Sequence, residues 1–313
     1  MPGSGRPAAS LRRVILLTGA TGLVGSTLLR RLTAAGEPVR CLVRDPRRLG
    51  PDRVRVQIAL GDLANPPSFR HAMRGVRTVV HLAASIRDQP STQPLGMAQS
   101  IEELNGVATW RMVQAAERAG VEHFVFFSAL EASPFTRARF FRAKGLAETA
   151  VAESGVRHTI FAPSIVYSPG DPWLTLLERL ARLLPVMPVS GSGRALYQPI
   201  WAEDVADCVM ATLNGAGEQS ARHELAGPET LSYRAMTELA LRSFGRRRPI
   251  VHVPLPLVRR LLTLARLVAG SAVFATWDEA ELFEVSMTSR SGTAGAERLG
   301  VSPKPMRAVL GAG

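Results

Sequence analysis

The sequence predicts an α/β protein, a doubly wound parallel sheet with a smaller C-terminal cap domain. Three observations predict it. Short β-rich runs alternate with helical ones through the first half of the chain. Runs such as VILLT (14–18) and FVFFS (124–128) are apolar on both faces, as strands covered on both sides must be. After Pro163 the alternation loosens and Pro and Gly become frequent.

Taken in order, the strands are predicted over 14–18, 39–43, 54–59, 78–82, 123–128 and 158–161. Helical segments between them fall near 22–35, 66–73, 101–119 and 140–154. Right-handed crossovers of this kind wind helices onto both faces of one sheet. Beyond Pro163, helices are predicted near 173–184, 203–213, 232–244 and 257–268. The expected division is a Gly-, Pro- and Ser-rich disordered tail over 1–10, a nucleotide-binding domain over 11–165, and a mixed α/β cap over 166–313. Part of the cap, about 196–226, is expected to return to the main sheet.

The first strand runs into Thr18-Gly19-Ala20-Thr21-Gly22-Leu23-Val24-Gly25, a GxxGxxG turn that opens a helix. Gly19 permits a tight turn, Gly22 lets backbone approach a pyrophosphate, and Gly25 allows helix and strand to pack closely. The helix start offers unpaired N–H groups and a positive dipole end to phosphates. Glycines also mark ordinary loops. Here the strand–turn–helix context makes the motif a Rossmann-type dinucleotide site.

Cofactor choice is read at the end of the second strand, Cys41-Leu42-Val43-Arg44-Asp45-Pro46-Arg47-Arg48. An acidic residue there accepts bonds from the adenosine ribose, whereas arginine welcomes a 2′-phosphate. Arg44 comes directly off the strand, so NADP(H) is preferred and NAD(H) remains possible through Asp45. Asp45 followed by Pro46 is also a good helix N-cap, and Arg47 and Arg48 also suit a solvated helix face.

These residues resemble the extended and atypical short-chain dehydrogenase/reductase superfamily, the NAD-dependent epimerase/dehydratase-like proteins. The resemblance is carried by 18–25, by Gly61-Asp62-Leu63, by VVHLAA (79–84), and by Asn105, Ser128 and Lys144. Further matches are APSIVY (162–167), QPIWAEDVA (198–206) and HELAGPETLSY (223–233). The last two are most similar to the subgroup containing the accessory NADPH-binding subunit of respiratory complex I and its bacterial relatives. The resemblance implies that Gly19, Thr21, Gly22, Leu23, Val24, Gly25 and Arg44 hold the phosphates and adenosine end. It places Asp62 and Leu63 at the adenine, and Leu82, Ala83, Ala84, Asn105, Lys144 and Pro163 along the ribose and nicotinamide. A turn-forming role for Asp62 and a strand-end role for a core His81 are the alternatives.

Active members of that superfamily use Tyr-x-x-x-Lys on one helix face, where the lysine lowers the phenol pKa for proton transfer. Here the segment reads Phe140-Phe141-Arg142-Ala143-Lys144, and Phe140 has no proton to give. Lys144 is one of only two lysines, with Lys304, in an arginine-using chain. Ribose binding is therefore expected to survive, while proton transfer is lost or moved. The remaining catalytic candidates are Ser128, Lys144 and Tyr167, with Tyr167 the best substitute acid among Tyr167, Tyr197 and Tyr233. Ala162 stands where arginine often precedes Pro-Ser in the family, which removes a link to sugar-nucleotide chemistry. Glu203 and Asp204 open a helix and read as structural.

Composition excludes several classes. The net charge of +12 is nearly all arginine spread along the chain, with no aromatic-interleaved basic stripe, so no nucleic acid is expected. Cys41 and Cys208 lack metal-ligand spacing and read as small buried hydrophobes; no metal is expected. No run is long and apolar enough to span a bilayer, and no leader-like stretch opens the chain, so a cytoplasmic protein is expected. The run LPLVRRLLTLARLV (255–268) places Arg259 and Arg266 on one face, with Arg260 beside them. It reads as a cap helix on the core, or as an interfacial helix touching anionic lipid or a membrane-protein partner from the inner face. The segment 173–184 is a second amphipathic candidate.

Two functions follow. One is a nucleotide-binding protein without standard catalysis, in which NADP(H) serves structure, sensing or assembly. The other is a reductase, epimerase or dehydratase acting on a small hydroxy or carbonyl substrate through a non-standard acid.

Overall fold

The computed structural model describes residues 14–89, 99–218, 220–260, 263 and 282–311. The expected tail over 1–10 lies outside them, as do Arg266 and most of the run 261–268.

Seven parallel strands form the main sheet. In chain order they are β1 (Val14–Thr18), β2 (Val39–Val43), β3 (Gln57–Leu60), β4 (Val76–His81), β5 (His123–Phe127), β6 (His158–Pro163) and, from beyond the first half, β11 (Ala221–Leu225). Their spatial order is β11-β6-β5-β4-β1-β2-β3. The order reverses between β1 and β4, and that switch point opens a crevice at the strands' carboxyl ends. β1 is buried along its whole length, which explains its unbroken apolar run.

The helix α1 (Leu23–Ala34) buries Leu28, Leu29 and Leu32 against this sheet. Burying each such side chain stabilises the fold by roughly 1.5–3 kcal/mol. The helix stops at Gly36, whose φ of +74° suits the left-handed position. There Glu37 N–H donates to the Leu32 carbonyl at 3.0 Å, closing a Schellman turn. On the opposite face lie α3 (Ala108–Arg118) and α4 (Arg139–Ala152), which pack Met112, Val113, Ala147 and Val151 against Phe124 and Phe126. A π-turn over Glu103–Val107 leads into α3.

Two expected elements differ. The strand expected over 54–59 starts at Gln57, because Asp45 caps a 3₁₀ segment, Pro46–Val54, that carries the chain to the strand's edge. The helix expected over 66–73 divides into α2 (Pro66–Phe69) and a 3₁₀ turn, Arg70–Met73.

The cap holds α5 (Pro172–Leu183), α7 (Tyr233–Ser243) and three two-stranded ladders. In these ladders β10 (Ile200–Trp201) pairs with β7 (Val166–Tyr167), β9 (Leu196–Tyr197) with β12 (Leu231–Ser232), and β13 (Ile250–Val253) with β8 (Met187–Ser190). The return to the main body is joined by a second return near the C-terminus. Leu196–Tyr197 and Ile200–Trp201 pair in the small ladders, and Ile200 already packs in the main core. α6 (Ala202–Leu213) lies on α1 and places Val205, Ala206, Cys208 and Val209 in the main core. Ala296 and Leu299 also enter that core, because Gly295 lets the turn Ala294–Glu297 press on β11; a Cβ there would sit 1.9 Å from the Glu224 carbonyl oxygen. Glu203 is engaged by Arg30 and Arg31, and Asp204 accepts the Lys304 N–H at 2.8 Å, so both acids hold α6 in place. No helix among the described residues is long and apolar enough to cross a membrane.

Candidate functional site

A cleft of about 570 Å³ opens at the switch point. Its floor is the turn after β1. Gly19 has φ +73°, and a Cβ there would come within 2.6 Å of the Ala83 backbone nitrogen, so only glycine lets the two loops meet. Gly22 N–H donates to the Gly19 carbonyl at 2.9 Å. α1 starts at Leu23 with no side chain capping it, which leaves first-turn N–H groups for an anionic ligand. Gly25 serves packing: its Cβ would lie 2.0 Å from the Gly19 carbonyl oxygen. Gly19, Thr21 and Gly22 line the cleft; Leu23, Val24 and Gly25 stand behind it, with Val24 packed on the core.

The second wall comes from β2 and β3. Arg44 and Arg48 line it, and Arg44 Nη1 donates to Gln89 Oε1 at 2.9 Å. Asp45 caps the following turn by accepting the Arg47 N–H at 3.0 Å, and the Arg47 guanidinium grips the same carboxylate. Those bonds from Arg47 hold the Asp45 carboxyl below its ordinary range. Asp62 and Leu63 also face the cleft. Asp62 Oδ1 accepts the Ala64 N–H at 3.0 Å, a turn bond, and Oδ2 accepts from Gln99 at 3.3 Å.

Leu82, Ala83 and Ala84 form the third side. They are held by a buried relay whose tautomer follows from its ends. Thr109 Oγ1 donates to the Asn105 carbonyl at 2.7 Å, so it accepts from His81 Nε2 at 3.1 Å. His81 Nδ1 is then left to accept from Thr18 Oγ1 at 2.8 Å. Burial, with the Lys144 charge nearby, lowers the His81 pKa to about 3. His81 is thus a neutral strand-end histidine that ties β1 and β4 to the helical segment 101–118.

Three expected contacts are displaced. The Asn105 side chain is fully buried; its amide donates to the Ser85 and Ile101 carbonyls and its oxygen accepts the Ser85 N–H at 3.1 Å. It fixes the loop after β4 and has no amide hydrogen left for a ligand. Pro163 is paired with Leu225 between β6 and β11 and does not line the cleft. Tyr167, expected at the cleft rim, is 1% exposed among Val189, Tyr197 and Tyr233, and burial raises its phenol pKa. A phenol in that setting is a poor proton donor to a cleft ligand.

The remaining candidates gather at the carboxyl end of β5. Lys144 is buried on α4, and its Nζ donates to the Phe127 carbonyl at 2.6 Å and lies 4.9 Å from the Phe126 ring centre. Burial lowers its pKa to about 7. Phe140, one turn before it, is half-buried with its ring centre 5.9 Å from Nζ, and packs on the cluster of Ala129, Ala138 and Phe141. The Ser128 hydroxyl is buried with no partner among the described residues. Ser85 and Gln89, missed from sequence, also line the cleft; Gln89 donates to Ser85 Oγ at 3.0 Å while holding Arg44. Only the unspecific polarity of 85–89 marks them in sequence.

The residues fit a dinucleotide. The Gly22 position leaves backbone open toward the phosphates, the arginines answer negative charge, and the cleft sits at the switch point. Comparison with known proteins agrees. An NAD(P)H-binding family model matches residues 19–215. A (4-alkanoyl-5-oxo-2,5-dihydrofuran-3-yl)methyl phosphate reductase of Streptomyces griseus is 30% identical, covering 74% of each chain. The 40 kDa subunit of the Neurospora crassa NADH-ubiquinone oxidoreductase is 27% identical over 75% of this chain; the match spans 61% of that subunit's length. A Thermotoga maritima UDP-glucose 4-epimerase shares the fold, with a TM-score of 0.70, 17% identity and 96% of each chain covered. With the turn, the crevice and a family match over more than half its length, the chain belongs to the NAD(P)H-binding family, on an extended short-chain dehydrogenase/reductase fold of the epimerase type.

Proposed function

We propose that the chain binds NADP(H) in preference to NAD(H) in this cleft and lacks the Tyr–Lys proton transfer of its superfamily, so that the cofactor serves structure, sensing or assembly. The observation that carries the cofactor preference is the pair Arg44 and Arg48 on the wall beyond β2, with Asp45 already engaged by Arg47. Bound NADPH supplies a hydride; Phe140 supplies no proton to accompany it. The resemblance assigns Lys144 to the nicotinamide ribose and Ser128 to a carbonyl; both side chains are buried at the carboxyl end of β5 and neither lines the cleft.

A reductase remains the second reading, favoured by the similarity to the reductase of a dihydrofuranylmethyl phosphate. It needs an acid other than Tyr167, whose hydroxyl is buried in the cap core without a partner among the described residues. Titration with NADPH and NADH, followed by calorimetry, tests the cofactor claim: equal or reversed affinities overturn it. Phe140→Tyr, screened with carbonyl substrates and NADPH, tests the catalytic claim. A well-placed general acid is worth about 10²–10⁴-fold, so turnover gained only in the variant supports a lost activity. Robust turnover by the unaltered chain overturns the binding-only reading.

A further inference from the structure

The cap carries a corner where arginines and bare apolar side chains are interleaved. α5 ends in Arg182 and Leu183 and runs on through Leu184, Pro185 and Val186; all five are exposed, and Leu183 is 80% accessible. The loop Arg246-Arg247-Arg248 after α7 lies against the same helix end, because Arg248 Nε donates to the Ala181 carbonyl at 3.1 Å. The parallel ladder of β8 and β13 continues the surface: Met187 N–H donates to the Pro249 carbonyl at 2.8 Å, and Val251 next to it is 45% accessible. Among the described residues no carboxylate pairs with Arg246, Arg247 or Arg248. The chain then passes into the helical residues 255–260, where Leu257, Arg259 and Arg260 are exposed.

We propose that this corner docks on an anionic lipid bilayer. Two distant stretches of sequence converge to make it. Charge complementarity points to an anionic partner. The mixing of leucines and arginines within single short stretches points to a bilayer rather than an acidic protein. At the headgroup–acyl boundary, leucine enters the acyl edge while arginine at the same depth reaches the phosphates.

The test is partition of the full chain onto phosphatidylcholine vesicles with and without phosphatidylglycerol, by sedimentation. Binding is expected only with the anionic lipid and is expected to fall with added salt. Arg246→Glu with Arg247→Glu should weaken it about thirtyfold or more, since each basic residue near such a surface contributes about fivefold. Leu183→Ser with Leu184→Ser should weaken it about tenfold; at such exposed positions thermal melting of both variants should match the parent. Absence of partition, equal binding to neutral vesicles, or unaltered binding by the variants overturns the proposal. So does displacement by poly-glutamate with no effect of the leucine pair, which marks an acidic-protein face instead.

Discussion

Replacing Lys144 by methionine should make the apo protein more stable, by an amount that depends on pH in a defined direction. The ammonium is 1% exposed and its pKa falls from 10.5 to about 7, mainly because burial penalises the charge. In the unfolded chain Lys144 keeps its proton up to its ordinary pKa; in the folded chain it keeps it only below about 7. Between those values the unfolded state holds the extra proton, so stability rises as pH rises. At about 1.4 kcal/mol per unit, the burial penalty near neutrality is about 4 kcal/mol. Methionine keeps most of the stem and removes the charge, but leaves the Phe127 carbonyl without its donor at a cost of roughly 1–3 kcal/mol. The net expectation near pH 7 is a variant about 1–3 kcal/mol more stable than the parent. Because the parent gains stability with pH and the variant does not, the gap should close by about 1.5 kcal/mol on going to about pH 8.5. Urea unfolding of both proteins at the two pH values measures it. A gap that stays constant with pH would refute the reasoning, since it means Lys144 titrates alike in the folded and unfolded chains.

Other outcomes follow from the same geometry. Gly25→Ala places a methyl 2.0 Å from the Gly19 carbonyl oxygen; it should lower stability by about 1–3 kcal/mol or more and abolish nucleotide binding, read by melting and calorimetry. Arg44→Ala should weaken NADPH about tenfold or more and leave NADH nearly unchanged, because a charged hydrogen bond to a phosphate contributes about 1.5–3 kcal/mol; parallel loss of both cofactors counts against a 2′-phosphate role. His81, with its pKa lowered to about 3, should remain neutral at mildly acid pH. Since the unfolded chain protonates it first, stability should fall as pH drops from 6.5 toward 3, and an imidazole signal titrating near 6.5 in the folded protein would contradict this.

The centre of the main sheet was legible because its strands are buried on both faces: β1 and β2 fall on the predicted residues. The glycine turn was legible because each glycine answers a separate geometric demand, and those of Gly19 and Gly25 are met at the Ala83 backbone and at the Gly19 carbonyl oxygen. What escaped was long-range. Nothing in the neighbourhood of Asn105 tells that its amide is consumed by Ser85, twenty residues before it in the chain. Tyr167 follows a strand, as a rim residue does, yet the cap folds Val189, Tyr197 and Tyr233 over it. The 3₁₀ segment before β3 was hidden because Val54 is a strand former, while the Asp45–Pro46 cap and Gly50, at φ +59°, commit the chain to turn first.

The placement of β11 beside β6, with α6 lying on α1, bears on how this chain is made. While residues up to 165 alone have emerged from a ribosome, β6 is a naked sheet edge and the leucines of α1 lack their covering helix. Some sixty more residues must be synthesised before the edge is sealed, and the turn 294–297 closes over β11 only near the end. A fragment cut at the apparent domain boundary would therefore expose an open strand to its own copies. On this ground the nucleotide-binding half is expected not to be a detachable module, and a nascent chain paused there is the species a chaperone would meet.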